Sequence, residues 1–121
     1  MNFNDYQAAS MRTATHLDET LEANLVHASL GLSTEVGEFV TEAKRIHRYH
    51  KPCTPEMVAH MSEELGDVLW YVALAASALG VPMSQIASDN VAKLQKRFPE
   101  KYTNEAAEAR ADKEGASARV S

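Results

Sequence analysis

A chain of 121 residues, 45 % of them apolar, with a formal charge of -5, is the size of one domain and lacks the basic surface that a nonspecific nucleic-acid binder needs. The lone Cys53 can form neither an intrachain disulfide nor a cysteine metal site, which fits a reducing, cytoplasmic setting. Met1-Asn2-Phe3-Asn4-Asp5 does not read as a secretory signal, and the longest mostly apolar segment, Val68 to Leu79, falls short of the roughly 20 residues of a membrane span, so no membrane is expected.

Only four Pro and five Gly leave room for long helices, and no strand-like alternation is sustained. The expected fold is all-α, a four-helix bundle-like domain. Asn4 or Asp5 can cap a first helix running to about Thr15, with Tyr6, Ala9 and Thr13 on one side. His16-Leu17-Asp18-Glu19-Thr20 reads as a connection. From Leu21 to about Arg48 a second helix carries Leu25, Leu32, Phe39, Val40 and Ile46 as a broad apolar stripe. Gly31 and Gly37 interrupt it, each at about 1 kcal/mol against alanine, and close packing is the expected reason.

Tyr49 to Cys53 breaks the helical pattern. Thr54-Pro55-Glu56 then starts a third helix with a hydroxyl cap, a proline at the first position and an acid in the first turn. It should end at Leu79 before Gly80. Pro82 helps begin a fourth, whose Ile86, Val91 and Leu94 can face the bundle before Phe98-Pro99 closes it. Residues 1–102 form the expected domain. From Thr103 the chain is mostly small and charged, so 103–121 reads as a flexible tail in which Asn104 to Lys113 can form a transient helix.

Two acidic pairs carry the chemistry, Glu35-x-x-Glu38 and Glu64-x-x-Asp67. Positions three apart on a helix are neighbours, so each pair can converge on one ion. Glu42 prolongs the first stripe. The stretch between Glu38 and Glu64 is long enough to finish one helix, turn at Lys51-Pro52 and return antiparallel, which brings the pairs together across a hairpin. Two unit charges 4 Å apart repel by roughly 4 kcal/mol at an effective dielectric of 20, so four carboxylates in one pocket call for a hard cation. Magnesium takes oxygen ligands and commonly shares substrate phosphates, whereas zinc favours His and Cys. An isolated Glu-x-x-Glu is usually a solvated helix face. Asp67 differs, because Leu65, Val68, Leu69 and Trp70 around it suggest burial, where an unpaired charge is strongly disfavoured.

Glu35-Val36-Gly37-Glu38, then Glu64-Leu65-Gly66-Asp67-Val68-Leu69-Trp70-Tyr71-Val72, then Asn90-Val91-Ala92-Lys93-Leu94-Gln95-Lys96-Arg97-Phe98-Pro99 resemble the MazG-type all-α nucleoside triphosphate pyrophosphohydrolases. The resemblance runs from about Tyr6 to Phe98 and includes Asp5-Tyr6-Gln7 and Arg12-Thr13. It implies a magnesium-dependent enzyme, with manganese as a substitute, that cleaves a nucleoside triphosphate or its deoxy form between the α and β phosphates. By position, Glu35, Glu38, Glu64 and Asp67 would be catalytic metal ligands, one of which, such as Glu38, could instead activate water. Asn90 and Lys93, then Arg97, would hold the triphosphate. Lys44 is a further candidate, although with Arg45, Arg48 and Lys51 it equally suits a solvated basic helix end.

Departures from the family pattern are Ser33-Thr34 ahead of Glu35 and the extra Glu63, which leaves a one-residue ambiguity resolved for Glu64 by its spacing to Asp67. Trp70 and Tyr71 could stack on a base but read better as core or interface. His47 and His50 are three apart, yet no Glu-x-x-His of the di-iron type occurs, and His16, His27 and His60 read as surface or interface groups. A homodimer or homotetramer is expected, because the third helix is apolar nearly all round. The alternatives are a phosphoribosyl-ATP or dUTP pyrophosphohydrolase on the same architecture, and a helical interaction module whose acids bind a structural cation or a basic partner.

Overall fold

Side-chain caps set the helix starts. A computed structural model describes residues 1–15, 17 and 19–113, so the surface reading of His16 and the distal tail, 114–121, lie outside the described residues. Helix α1, Phe3–Met11, begins where the Asn2 side chain accepts from the Asp5 amide at 2.8 Å. This start is earlier than the Asn4 or Asp5 cap expected, and the helix stops four residues before Thr15. Helix α2, Leu21–Arg48, is capped by Thr20, and α3, Pro55–Leu79, by Thr54. Gly80 ends α3 in the left-handed conformation at φ 70°, where its N–H returns to the carbonyls of Ala76 and Ser77. Helix α4 spans Met83–Arg97, α5 spans Asn104–Ala109 and a 3-10 turn covers Ala111–Lys113. The fold is all-α, and no strand occurs among the described residues.

The chain divides into two compact units, Met1–Met83 and a second beginning at Ser84. In the first, α3 is the central rod and packs against both α2 and α1. Its buried apolar residues are Ala28, Ala73, Leu74, Ala76 and Met83, with Tyr6, Met11, Leu69 and Val72 packed around the Ala73–Met83 cluster. The small side chains let the helices approach closely. At Gly31 the absence of a side chain makes room for the Tyr71 ring, which a Cβ there would overlap. The packing reason expected for Gly37 does not hold, because a Cβ there would meet nothing.

Polar clasps fix α1. The Gln7 side chain donates to Ser77 Oγ and the Val81 carbonyl, both at 3.1 Å, and accepts from the Met83 amide at 2.8 Å. Trp70 donates its indole N–H to the Ser10 carbonyl at 3.1 Å and to Thr13 Oγ1 at 2.9 Å. Both clasps tie the first helix to the C-terminal half of α3.

In the second unit Arg97 grips Asp112 through two bonds, Nε to Oδ1 at 2.6 Å and Nη2 to Oδ2 at 3.0 Å. Thr103 caps α5 by accepting from the Ala106 amide. The stretch Asn104 to Lys113, expected to be at most a transient helix, thus has a cap at its start and an ion pair at its end. Ile86, Val91 and Leu94 do not reach a core as expected and stay exposed, because α5 is only six residues long and offers α4 little within this unit.

Candidate metal centre

The two contacts that set the α2–α3 register are Gly31 against Tyr71 and Glu42 against His60, whose Nδ1 lies 3.7 Å from Glu42 Oε1. Each pair member is about three turns from its counterpart along its own helix, in opposite directions, so the helices run antiparallel. On that register Glu38 falls opposite Glu64 and Glu35 opposite Asp67. The two acidic pairs therefore meet.

One carboxylate oxygen each from Glu35, Glu64 and Asp67 lie within 4.8 Å of one another. Glu38 faces Glu64 on this register, close enough for its charge to raise the Glu64 carboxyl. The burial is graded. Glu64 is 5 % exposed, Glu35 is half-buried, and Glu38 and Asp67 open to solvent. Asp67 is thus not the buried acid that its sequence neighbours suggested. Residues at 100° steps point different ways round a helix, and Leu65, the neighbour two before it, is itself 53 % exposed.

Burial, first, and then the hydrogen bond and charge of Glu38 and the hydrogen bond of Glu35 push the Glu64 carboxyl above its usual range, while the nearby His60 works the other way. Glu64 Oε2 is buried and has no hydrogen-bond partner. A buried carboxylate oxygen without a donor is strongly unfavourable, and two carboxylates can share a hydrogen bond only if one holds a proton. A cation removes both problems. The donors are all carboxylate oxygens, which fits a hard divalent ion such as Mg2+ or Mn2+ and not a soft one.

His60, read from the sequence as a surface or interface group, and Glu42, which prolongs the first acidic stripe, lie beside this cluster. His60 Nε2 is 3.2 Å from Glu64 Oε1, and Glu42 is buried between His60 and Arg45, whose Nη1 is 3.4 Å from Glu42 Oε1. The signal was present in the four-residue spacing of His60 and Glu64, which stacks them on one helix face. The metal-competent group found among the described residues is made of carboxylates alone.

The candidate phosphate holders are described each within its own unit. Lys44 is exposed and, by helix geometry, about half a turn round α2 from the acidic stripe. Asn90 and Lys93 are exposed on one face of α4, and Arg97, one turn further on, is engaged by Asp112. Trp70 and Tyr71 serve packing: Trp70 holds α1, and Tyr71 lies over Gly31 with its ring edge-on to His27 at 5.9 Å.

The fold and site define an all-α hairpin that gathers acidic side chains from two helices. Residues 26–102 match the MazG nucleotide pyrophosphohydrolase domain, and the chain belongs to that family. It is similar to the Gene 37 protein of Mycobacterium phage L5, 35 % identical over 102 residues that cover 80 % of this chain and 89 % of that protein. No solved structure matches it.

Proposed function

We propose that this protein is a magnesium-dependent hydrolase that converts nucleoside triphosphates or their deoxy forms to the monophosphate and pyrophosphate. The observation that carries the proposal is the buried, unpartnered Glu64 Oε2 set among Glu35, Glu38 and Asp67. A triphosphate is repelled by such a cluster unless a cation lies between them. The family supplies the substrate class.

Glu35, Glu64 and Asp67 would hold the metal, with Glu38 as the fourth ligand or as the base. A bound divalent ion supplies charge neutralisation at the phosphates and makes water more acidic. Glu38 is exposed yet sits electrostatically beside the innermost acid, a position suited to orienting a water from the solvent side and accepting its proton. Glu64, shielded from solvent, keeps one oxygen directed into the cluster. Asn90 and Lys93, with Arg97, are the groups assigned to the triphosphate by family position, whereas the place of Lys44 off the acidic stripe gives it the weakest case. Hydrolysis between the α and β phosphates then leaves the monophosphate and pyrophosphate.

Residues 1–102 are assigned the activity, with 103–121 as an appended tail. A homodimer or homotetramer is supported by an open apolar depression of about 420 Å³ on α2, lined by Leu21, Leu25, Val26 and Leu30, and by Leu65 and Leu79 left exposed on α3. The exposed, unpaired Cys53 suits a reducing, cytoplasmic setting. No single helix among the described residues is long and apolar enough to cross a membrane.

A panel of canonical and modified triphosphates with Mg2+, scored for monophosphate plus pyrophosphate against diphosphate plus phosphate, tests the reaction. Pyrophosphate release that is abolished by Asp67→Asn in folded protein supports it. Diphosphate as product, or no turnover of any triphosphate by folded, metal-loaded protein, refutes it, and the second outcome favours a helical interaction module.

A further inference from the structure

His60 touches two acids that belong to different helices and have different surroundings. Glu64 lies one turn further along α3, its Oε1 3.2 Å from Nε2. Glu42 lies across the hairpin on α2, its Oε1 3.7 Å from Nδ1. Glu42 is in turn paired with Arg45. A continuous row, Arg45, Glu42, His60 and Glu64, therefore leads from the helix surface to the buried member of the carboxylate cluster.

The row ends in an asymmetry. A glutamate has two equivalent oxygens and three rotatable bonds, so by itself it can present either oxygen or swing away. Here Oε1 of Glu64 lies 3.2 Å from the imidazole Nε2, while Oε2 is buried with no hydrogen-bond partner. One Glu64 oxygen lies in the ligand group with Glu35 and Asp67, and with Oε1 beside His60 the unpartnered Oε2 is the one free to serve it. An imidazole has only two ring nitrogens. Both face carboxylates, which leaves none for an ion.

We infer that His60, steadied by Glu42, is a positioning residue that fixes Glu64 through Oε1 so that Oε2 alone is offered to the divalent cation. This rests on the metal-site reading above. Partners of this kind, which hold a ligand without touching the metal, typically change metal affinity by about 10- to 100-fold when removed. Glu42 acts one step further out. Its loss should weaken binding less than the loss of His60.

The experiment is calorimetric titration of the full chain with Mn2+ for wild type, His60→Ala, His60→Gln and Glu42→Gln, beside the melting temperature of each protein without metal. His60→Ala should weaken Mn2+ binding about 10- to 100-fold. His60→Gln, whose amide N–H can reach the same oxygen, should recover most of it, and Glu42→Gln should show a smaller loss in the same direction. Mn2+ bound to wild type should show no directly coordinated nitrogen by pulsed electron paramagnetic resonance. Unchanged affinity in His60→Ala overturns the inference alone. So does a directly coordinated nitrogen, or a loss shared by His60→Ala and His60→Gln in step with lowered metal-free melting temperatures. Wild type that binds no Mn2+ overturns the metal-site reading and this inference with it.

Discussion

Along one pair of helices the protein does two opposite things. Toward the start of α2 and the end of α3, Ala28, Ala73, Leu74 and Ala76 are buried, and the Tyr71 ring lies so close over Gly31 that no methyl group fits there. One to two turns from Gly31, Glu35, Glu38, Glu64 and Asp67 face one another, and a Cβ at Gly37 or Gly66 would touch nothing. The first region gains its stability from contact. The second holds like charges together and leaves a buried oxygen unpaired, an arrangement that stability alone would not retain. Packing at one end keeps the hairpin closed against repulsion at the other, which is how a fold can carry an unfavourable site.

Breaking the acidic end should change chemistry far more than structure. Glu64→Gln should lower pyrophosphate release by about 10²- to 10³-fold, the usual effect of losing one preorganised electrostatic group, while the metal-free protein melts no lower than wild type because a repelled charge is gone. Steady-state kinetics and a thermal melt check the two halves of this statement. The contrast fails if the variant unfolds.

The packed end should respond the other way. Gly31→Ala forces a methyl group into the Tyr71 ring and should destabilise by about 1–3 kcal/mol in urea unfolding, as overpacked cores do. Gly37→Ala, on the same helix, should stabilise by up to about 1 kcal/mol through helix propensity alone. Equal effects at the two glycines would erase the distinction between the ends.

The smallest effect sharpens the comparison from outside the hairpin. Asp112 is also a shielded carboxylate, but the Arg97 guanidinium bonds both of its oxygens and holds its carboxyl below the ordinary value near 3.8. A depressed acid contributes stability that is complete above its unfolded value and is lost as pH falls through its folded one. Hydrogen exchange in 104–113 should therefore quicken, relative to α2 and α3, only when the pH drops below about 3.8. Loosening of this segment already at neutral pH would show that the ion pair does not hold it.

Much of this was legible because caps are local. Thr54-Pro55 and Gly80 placed the ends of α3, and the spacing of Glu35-x-x-Glu38 and Glu64-x-x-Asp67 placed four acids on one helical hairpin. The start of α1 was not legible, since Asn2, Asn4 and Asp5 are all competent caps and only the bond to the Asp5 amide distinguishes them. Which acid is buried was missed for a different reason. Apolar neighbours in sequence surround Asp67 on paper, whereas burial at Glu64 depends on what α2 sets against that face of α3. The surface reading of His60 followed from treating it singly. Its side chain is indeed 49 % exposed, yet both nitrogens turn inward to acids.

Helix α1 lies wholly upstream of residue 26, where the family match begins. Yet Gln7 clasps the α3–α4 joint, Trp70 reaches Ser10 and Thr13, and Tyr6 and Met11 cover Ala73 and Met83. An expression fragment cut at the homology boundary would strip the lid from the central rod and leave its indole and alanine floor wet. The shortest piece worth purifying starts at Asn2, before the motif by which the family is recognised.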